Sequence, residues 1–169
     1  MSVQPTGRLE QREGTSHVVL ERTFRAPIED VWAAVTEPGR LERWIGTYAG
    51  DPATGEVAFR MTAEGDQAPE ERMEIRACTP PRHLALTSHT GEGSWQLDLR
   101  LREEDGTTLL EFAQASMDPV EAESVGPGWE YYLDRLVAAE TGGDPSSIDF
   151  EADYYPAMST HYRGLFSQV

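Results

Sequence analysis

From residue 94 to residue 102 the chain reads SWQLDLRLR, with Trp95, Leu97, Leu99 and Leu101 at every second position and Gln96, Asp98, Arg100 and Arg102 between them. Side chains of a strand point alternately to opposite faces, so this period predicts a strand with one apolar and one charged face. The same alternation recurs on both sides of it. Val57, Phe59 and Met61 mark one strand, Met73, Ile75 and Ala77 a second, and Leu84, Leu86 and Ser88 a third. TTLLEFAQA (107–115) adds Leu110 and Phe112 to the apolar face. Turn signals at Glu64-Gly65-Asp66, Pro80-Pro81, Gly91-Glu92-Gly93 and Asp105-Gly106 separate the segments, which predicts an antiparallel meander, apolar within and charged without.

The flanks supply the other elements. Residues 1–15 show no periodicity and read as a flexible arm. HVVLERTF (17–24) alternates as a strand with Val18, Leu20, Arg22 and Phe24 on one face. Pro27 opens a short helix carrying Ile28, Val31, Trp32 and Val35, and Pro38 opens another carrying Leu41, Trp44 and Ile45 up to Gly46. Asp118-Pro119 is a helix start, and GWEYYLDRLVAAE (128–140) places Trp129, Tyr132, Leu133, Leu136 and Val137 on one helical stripe. Glu130, Asp134 and Arg135 fall on the far side of that stripe. TGGDPSS (141–147) reads as a linker, followed by a terminal segment with Met158, Tyr162 and Leu165 on one helical face. That face either packs on its own domain or meets a second copy in a symmetric dimer.

Composition narrows the function. Thirty acidic residues against 14 basic ones give a net charge of −16, which repels phosphate backbones and anionic lipid surfaces, so neither nucleic acid nor membrane insertion is expected. The polar start and the lack of a long apolar run predict a cytoplasmic chain. The sequence holds no lysine and no asparagine, which excludes a lysine Schiff base and a Cys-His-Asn triad. Cys78 is alone, and His17, His83, His89 and His161 lie in no metal-ligand spacing. No metal, cofactor or catalytic residue is predicted.

The order of strand, two short helices, meander and long helix resembles the SRPBCC or START-like superfamily, the helix-grip fold of the birch-pollen allergen. Three stretches, LERTFRAPIEDVWAAVTEPGRLERWIG (20–46), CTPPRHLALTS (78–88) and GPGWEYYLDRL (126–136), are similar to the branch named for activators of the heat-shock-protein-90 ATPase. The resemblance spans residues 16–140 and implies an α+β helix-grip domain over 16–141. About seven curved antiparallel strands would wrap round the C-terminal helix, with 142–169 as a helical extension. One such fold hosts carriers, cyclases, oxygenase domains and chaperone cofactors.

The expected function is noncatalytic binding of a small hydrophobic or aromatic ligand in a cavity between sheet and helix. Its lining would come from Arg22, Trp44, Phe59, Met73, Ile75, Leu86, Ser88, Trp95, Leu97 and Phe112, with Trp129, Tyr132, Leu133 and Leu136 from the helix. Arg22, Tyr132 and Ser88 would be polar handles, Arg22 pairing with a ligand carboxylate or with an acid of the chain. The carboxylate pairs Glu70-Glu71 and Glu103-Glu104 read as solubility charge. Two alternatives are a cyclase or aromatase-like enzyme, with Tyr132, His89 or a pocket acid moving protons, and an interaction module that helps a chaperone ATPase.

Overall fold

A computed structural model describes residues 3–65, 68–90, 93–115 and 118–167, and the backbone alone at Glu64 and Thr90. Eight strands and five helices follow in the order β1 (Arg8–Arg12), β2 (Thr15–Phe24), α1 (Ile28–Thr36), α2 (Pro38–Leu41), β3 (Thr47–Ala49), β4 (Glu56–Arg60), β5 (Glu70–Thr79), β6 (His83–Thr90), β7 (Gly93–Glu104), β8 (Thr107–Ala115), α3 (Pro119–Glu140), α4 (Phe150–Asp153) and α5 (Ser159–Phe166). The strands form one antiparallel sheet in the order β1-β2-β8-β7-β6-β5-β4-β3. With the 22-residue α3, this is the α+β architecture of a helix-grip fold. Among the described residues no helix is long and apolar enough to cross a membrane. Asp66, Gly91 and Glu92, expected in turns, lie outside the described residues.

The chain divides into two compact units. The first comprises Met1–Glu21 and Ala113–Val169, the second Arg22–Phe112. In the first, the flexible arm expected over residues 1–15 is corrected in part. Arg8–Arg12 pairs with β2 in the register Arg8↔Val19 to Arg12↔Thr15, across a two-residue turn with Glu13 and Gly14 both at positive φ. Positive φ at both central residues matches the right-handed twist of the flanking strands. The strand has no clear signature in the sequence because RLEQR offers only Leu9 to an apolar face. As a sheet edge it carries charge instead, with Arg8 on Glu10 and Glu21 and Arg12 on Glu10, which discourages further strand pairing. The Arg12 guanidinium hydrogen-bonded to Glu10 holds that carboxyl below its ordinary range.

Helix α3 begins on a capping box: Glu121 N–H donates to Asp118 Oδ1 at 2.8 Å, and Asp118 N–H to Glu121 Oε2 at 3.3 Å. It then runs unbroken through Gly126-Pro127-Gly128, several residues earlier than the apolar stripe alone marks. The reason lies in α5. The Tyr162 ring lies over Gly126, where any Cβ would stand inside it, and one turn further along Tyr162 Oη donates to Glu130 Oε2 at 2.5 Å. Glu130, expected on the solvent side, is 1% exposed. Its carboxylate also accepts from Thr6 N–H, from Thr6 Oγ1 at 2.6 Å and from Gly7 N–H at 3.2 Å.

The terminal segment covers α3 further. Tyr154 Oη donates to Asp134 Oδ2 at 2.7 Å, and Arg135 lies over the Tyr131 ring while donating to the Pro145 carbonyl at 2.9 Å. Met158, Tyr162 and Phe166 are buried, so most of the apolar face of α5 is sealed within the chain.

In the second unit, α1 lacks a side-chain cap of its own because Pro27 stands at the N-cap. Glu103, expected as solubility charge, supplies the acceptor from β7, taking Ile28 N–H at 2.7 Å at the positive end of the helix. Trp44 is buried and donates from Nε1 to the Ala34 carbonyl of α1 at 3.0 Å. Three-residue β3, too short to show alternation, brings the strand count to eight rather than about seven.

Gly126 and Gly128 make a matched test. Gly126→Ala should destabilise the protein by about 1–3 kcal/mol, because overpacking against Tyr162 outweighs the gain in helix propensity. A Cβ on Gly128 would meet nothing within 4 Å, so Gly128→Ala should raise stability by up to about 1 kcal/mol. Urea denaturation of the two variants checks the signs, and equal effects would refute the packing of Tyr162 on α3.

Candidate functional site

The register of β3 to β7 fixes which side chains of the second unit share a face. Val57, Met73, Ser88 and Trp95 form one cross-strand row, since Val57 pairs with Met73, Met73 with Ser88 and Ser88 with Trp95. Ile75, Leu86 and Leu97 form the next, and Leu84 and Leu99 follow. On the other side of the Met73 row, Tyr48 pairs with Phe59 and Phe59 with Glu71. Seven of the residues expected to line a site, Phe59, Met73, Ile75, Leu86, Ser88, Trp95 and Leu97, thus share one face of β4–β7.

A bulge between Ile75 and Ala77 limits this face. The extra residue turns Ala77 to the opposite side, opposite Ala85, and brings Cys78 into line with Leu84, against the simple alternation Met73-Ile75-Ala77. Arg76 sits at the irregularity. It donates to Thr87 Oγ1 at 2.9 Å and to the carbonyls of Leu86 and Leu97 at 3.0 and 3.1 Å.

The apolar face is not uniformly sealed. Val57, Met73, Leu84, Leu97, Leu99 and Leu101 are buried, whereas Phe59, Ile75 and Leu86 are half-buried. Trp95, expected to point inward with the leucines, shares their face but is 38% exposed. It occupies the same face as Leu97 but nearer the strand's start, where the flanking Gly93, Ser94 and Gln96 are exposed too.

One charged group stands on this face where the sequence predicts none. Glu71, which beside Glu70 reads as solubility charge, is half-buried, and Ser88 donates to its Oε2 at 3.1 Å. Ser88 itself is 3% exposed. The signal lies in the alternation, since Glu71 has the parity of Met73 and Ile75 while Glu70 has the opposite one.

The opposite face is polar. His83 Nε2 lies 2.8 Å from Asp98 Oδ2 and Arg100 Nε 3.0 Å from Asp98 Oδ1, and His89 Nε2 lies 3.2 Å from Glu74 Oε2. His89 is therefore turned away from the face that carries Ser88. Among the described residues no three His, Cys, Asp or Glu side chains are grouped to hold a metal ion.

The remaining expected residues lie elsewhere. Arg22 is half-buried on β2 and engaged within the chain, Trp44 fills the α1–α2 corner, and Phe112 is buried on β8. In the first unit, Leu133 and Leu136 are buried core residues of α3. Trp129 donates from Nε1 to Gln114 Oε1 at 2.6 Å and its ring lies 6.2 Å from that of Tyr132, itself buried and edge-on to Tyr131.

A family model described as activator of Hsp90 ATPase homolog 1-like protein matches residues 25–140. Among solved structures, CalU16 from Micromonospora echinospora is 24% identical over 98% of this chain and 96% of that one, with a TM-score of 0.69. A conserved protein of unknown function from Enterococcus faecalis, EF2215, is 24% identical over 98% of this chain and 91% of that one, with a TM-score of 0.70. DynU16, a protein in the dynemicin biosynthetic locus, is 21% identical over 76% of this chain and 49% of its own, with a TM-score of 0.58. This chain therefore spans about half of DynU16. No curated protein matches the sequence. At these identities the likenesses establish the fold.

The contrast between Trp95 and Leu97 on one strand face is measurable. Leu97→Ala should cost about 2–5 kcal/mol as a cavity in the core, while Trp95→Ala should cost about 1 kcal/mol, because at 38% exposure its ring is only partly held in the core. Denaturant midpoints of the two variants decide it, and a Trp95→Ala loss as large as that of Leu97→Ala would return Trp95 to the core.

Proposed function

The chain belongs to the activator of Hsp90 ATPase homolog 1-like branch of the START-like, helix-grip superfamily, and from that premise we propose that it binds a small hydrophobic or aromatic molecule on the apolar face of β4–β7 without transforming it. One observation supports this reading above the others: Phe59, Ile75, Leu86 and Trp95 are only partly covered on a face whose other apolar members are buried. Leaving apolar area in contact with water forfeits about 25 cal/mol per Å². A partly covered aromatic and aliphatic surface beside a small number of polar groups is the general make-up of a ligand site. Ser88 and Glu71 are those polar groups here, in place of Arg22 and Tyr132.

The reading is tested by titrating the protein with Nile red, a neutral apolar dye, and by native mass spectrometry of the protein as purified. Saturable dye binding is expected, and Leu86→Arg, which puts a charge among Ile75, Leu97 and Ser88, should weaken it about tenfold or more. Trp95→Ala should weaken it several-fold through lost aromatic contact. Dye binding that neither substitution alters would refute the assignment to this face, and no saturable binding at all would refute the function.

A further inference from the structure

We propose that the molecule held on this face carries a protonated amine, and that Glu71 is the group that recognises it; the inference rests on the binding reading above. A carboxylate half-withdrawn from water on an apolar surface is costly unless a donor or a cation meets it. Ser88 meets one oxygen, at 3.1 Å to Oε2. A neutral hydroxyl answers part of that demand, and among the described residues no counterion meets the charge itself.

The arginines next to Glu71 in the register do not supply one. Arg60 pairs with Glu70 at 3.5 Å and Arg72 with Glu56 at 3.0 Å, and the alternation places all four of these side chains on the opposite face of the sheet. Arg76 is held by Thr87 and two main-chain carbonyls. Among the described residues, then, the sheet pairs its neighbouring acids with arginine on the polar face and leaves Glu71 with Ser88 on the apolar one.

The surroundings suit a cation with an apolar body. Phe59 stands opposite Glu71 on β4, and Trp95 flanks Ser88 on β7, two strand spacings or about 10 Å from β5. Aromatic faces attract ammonium groups as well as apolar surface. Met73 lies in the row of Ser88 and Trp95, and Ile75, Leu86 and Leu97 continue the apolar floor in the next row. A net charge of −16 raises the local concentration of cations and lowers that of anions. Arg22, the handle for a ligand carboxylate, is already engaged within the chain.

Three fluorescent probes of matched shape test the assignment: pyrenemethylamine, pyrenemethanol and pyrenecarboxylic acid, titrated at physiological ionic strength. The amine should bind about tenfold or more tightly than the alcohol, as a charge-assisted hydrogen bond provides, and the acid more weakly than either. Glu71→Gln keeps an oxygen for Ser88 and should abolish the preference, bringing the amine down to the alcohol's affinity. Glu70→Gln removes the same charge from the exposed neighbour on the polar face and should preserve the preference for the amine. Equal binding of amine and alcohol to the wild type overturns the proposal, and so does a Glu70→Gln variant that loses the preference as fully as Glu71→Gln. Failure of all three probes to bind overturns the underlying binding reading and this inference with it.

Discussion

The organisation of the first unit follows from one buried carboxylate. Glu130 is 1% exposed, and removing a carboxylate from water costs several kcal/mol unless donors replace the water around it. Here they come from two places far apart in sequence, Thr6 and Gly7 at the N-terminus and Tyr162 on α5. The N-terminal segment, α3 and α5 therefore meet at one point. Two glycines make that meeting possible, because a Cβ at either Gly7 or Gly126 would collide with Tyr162. Once the tyrosine is seated, its neighbours follow: His161 reaches toward the Gly7 carbonyl, and the aromatic group of Tyr131, Phe150, Tyr154 and Tyr155 packs ring against ring.

That constraint also explains what the sequence could and could not disclose. An amphipathic template finds a single stripe, and on α3 it finds Tyr132, Leu133 and Leu136 correctly because one side of the helix is plainly apolar. A helix covered on a second side by polar partners shows no second stripe. Glu130 therefore reads as a solvent residue until Thr6 and Tyr162 are seen beside it, and contacts across 124 and 32 residues leave no local mark. The terminal segment left two partners open, its own domain or another copy, and α5 lies on α3 with Tyr162 and Phe166 buried and Leu165 half-buried.

The second unit was more legible because strand alternation is local. SWQLDLRLR specifies a face by itself, and Asp105-Gly106 specifies the turn that follows, with both residues at positive φ. Alternation fails where the backbone departs from its period. The bulge at Ile75/Ala77 displaces Ala77 from the face its number suggests, and three-residue β3 is too short to show a period. Glu71 is a different kind of miss. Its parity is visible, but beside Glu70 it looks like one of a pair of surface acids, and parity separates the two onto opposite faces.

The two departures from ordinary patterning in this unit occur together. A sequence under pressure for stability alone would place a leucine at Trp95 or cover the ring, and would not set a carboxylate at Glu71 among Phe59, Met73 and Ser88. Each breaks the rule that an apolar face is filled and sealed, and such breaks concentrate where function requires them. Both lie on the same face, on β5 and β7, with buried Ser88 on the strand between, hydrogen-bonded to one and paired with the other. If either stood alone it would read as tolerated surface variation. Set side by side across one strand, a partly exposed indole and a carboxylate that no cation meets among the described residues define a surface with an apolar and an anionic end, and the complement of that surface is an apolar molecule with a positive end.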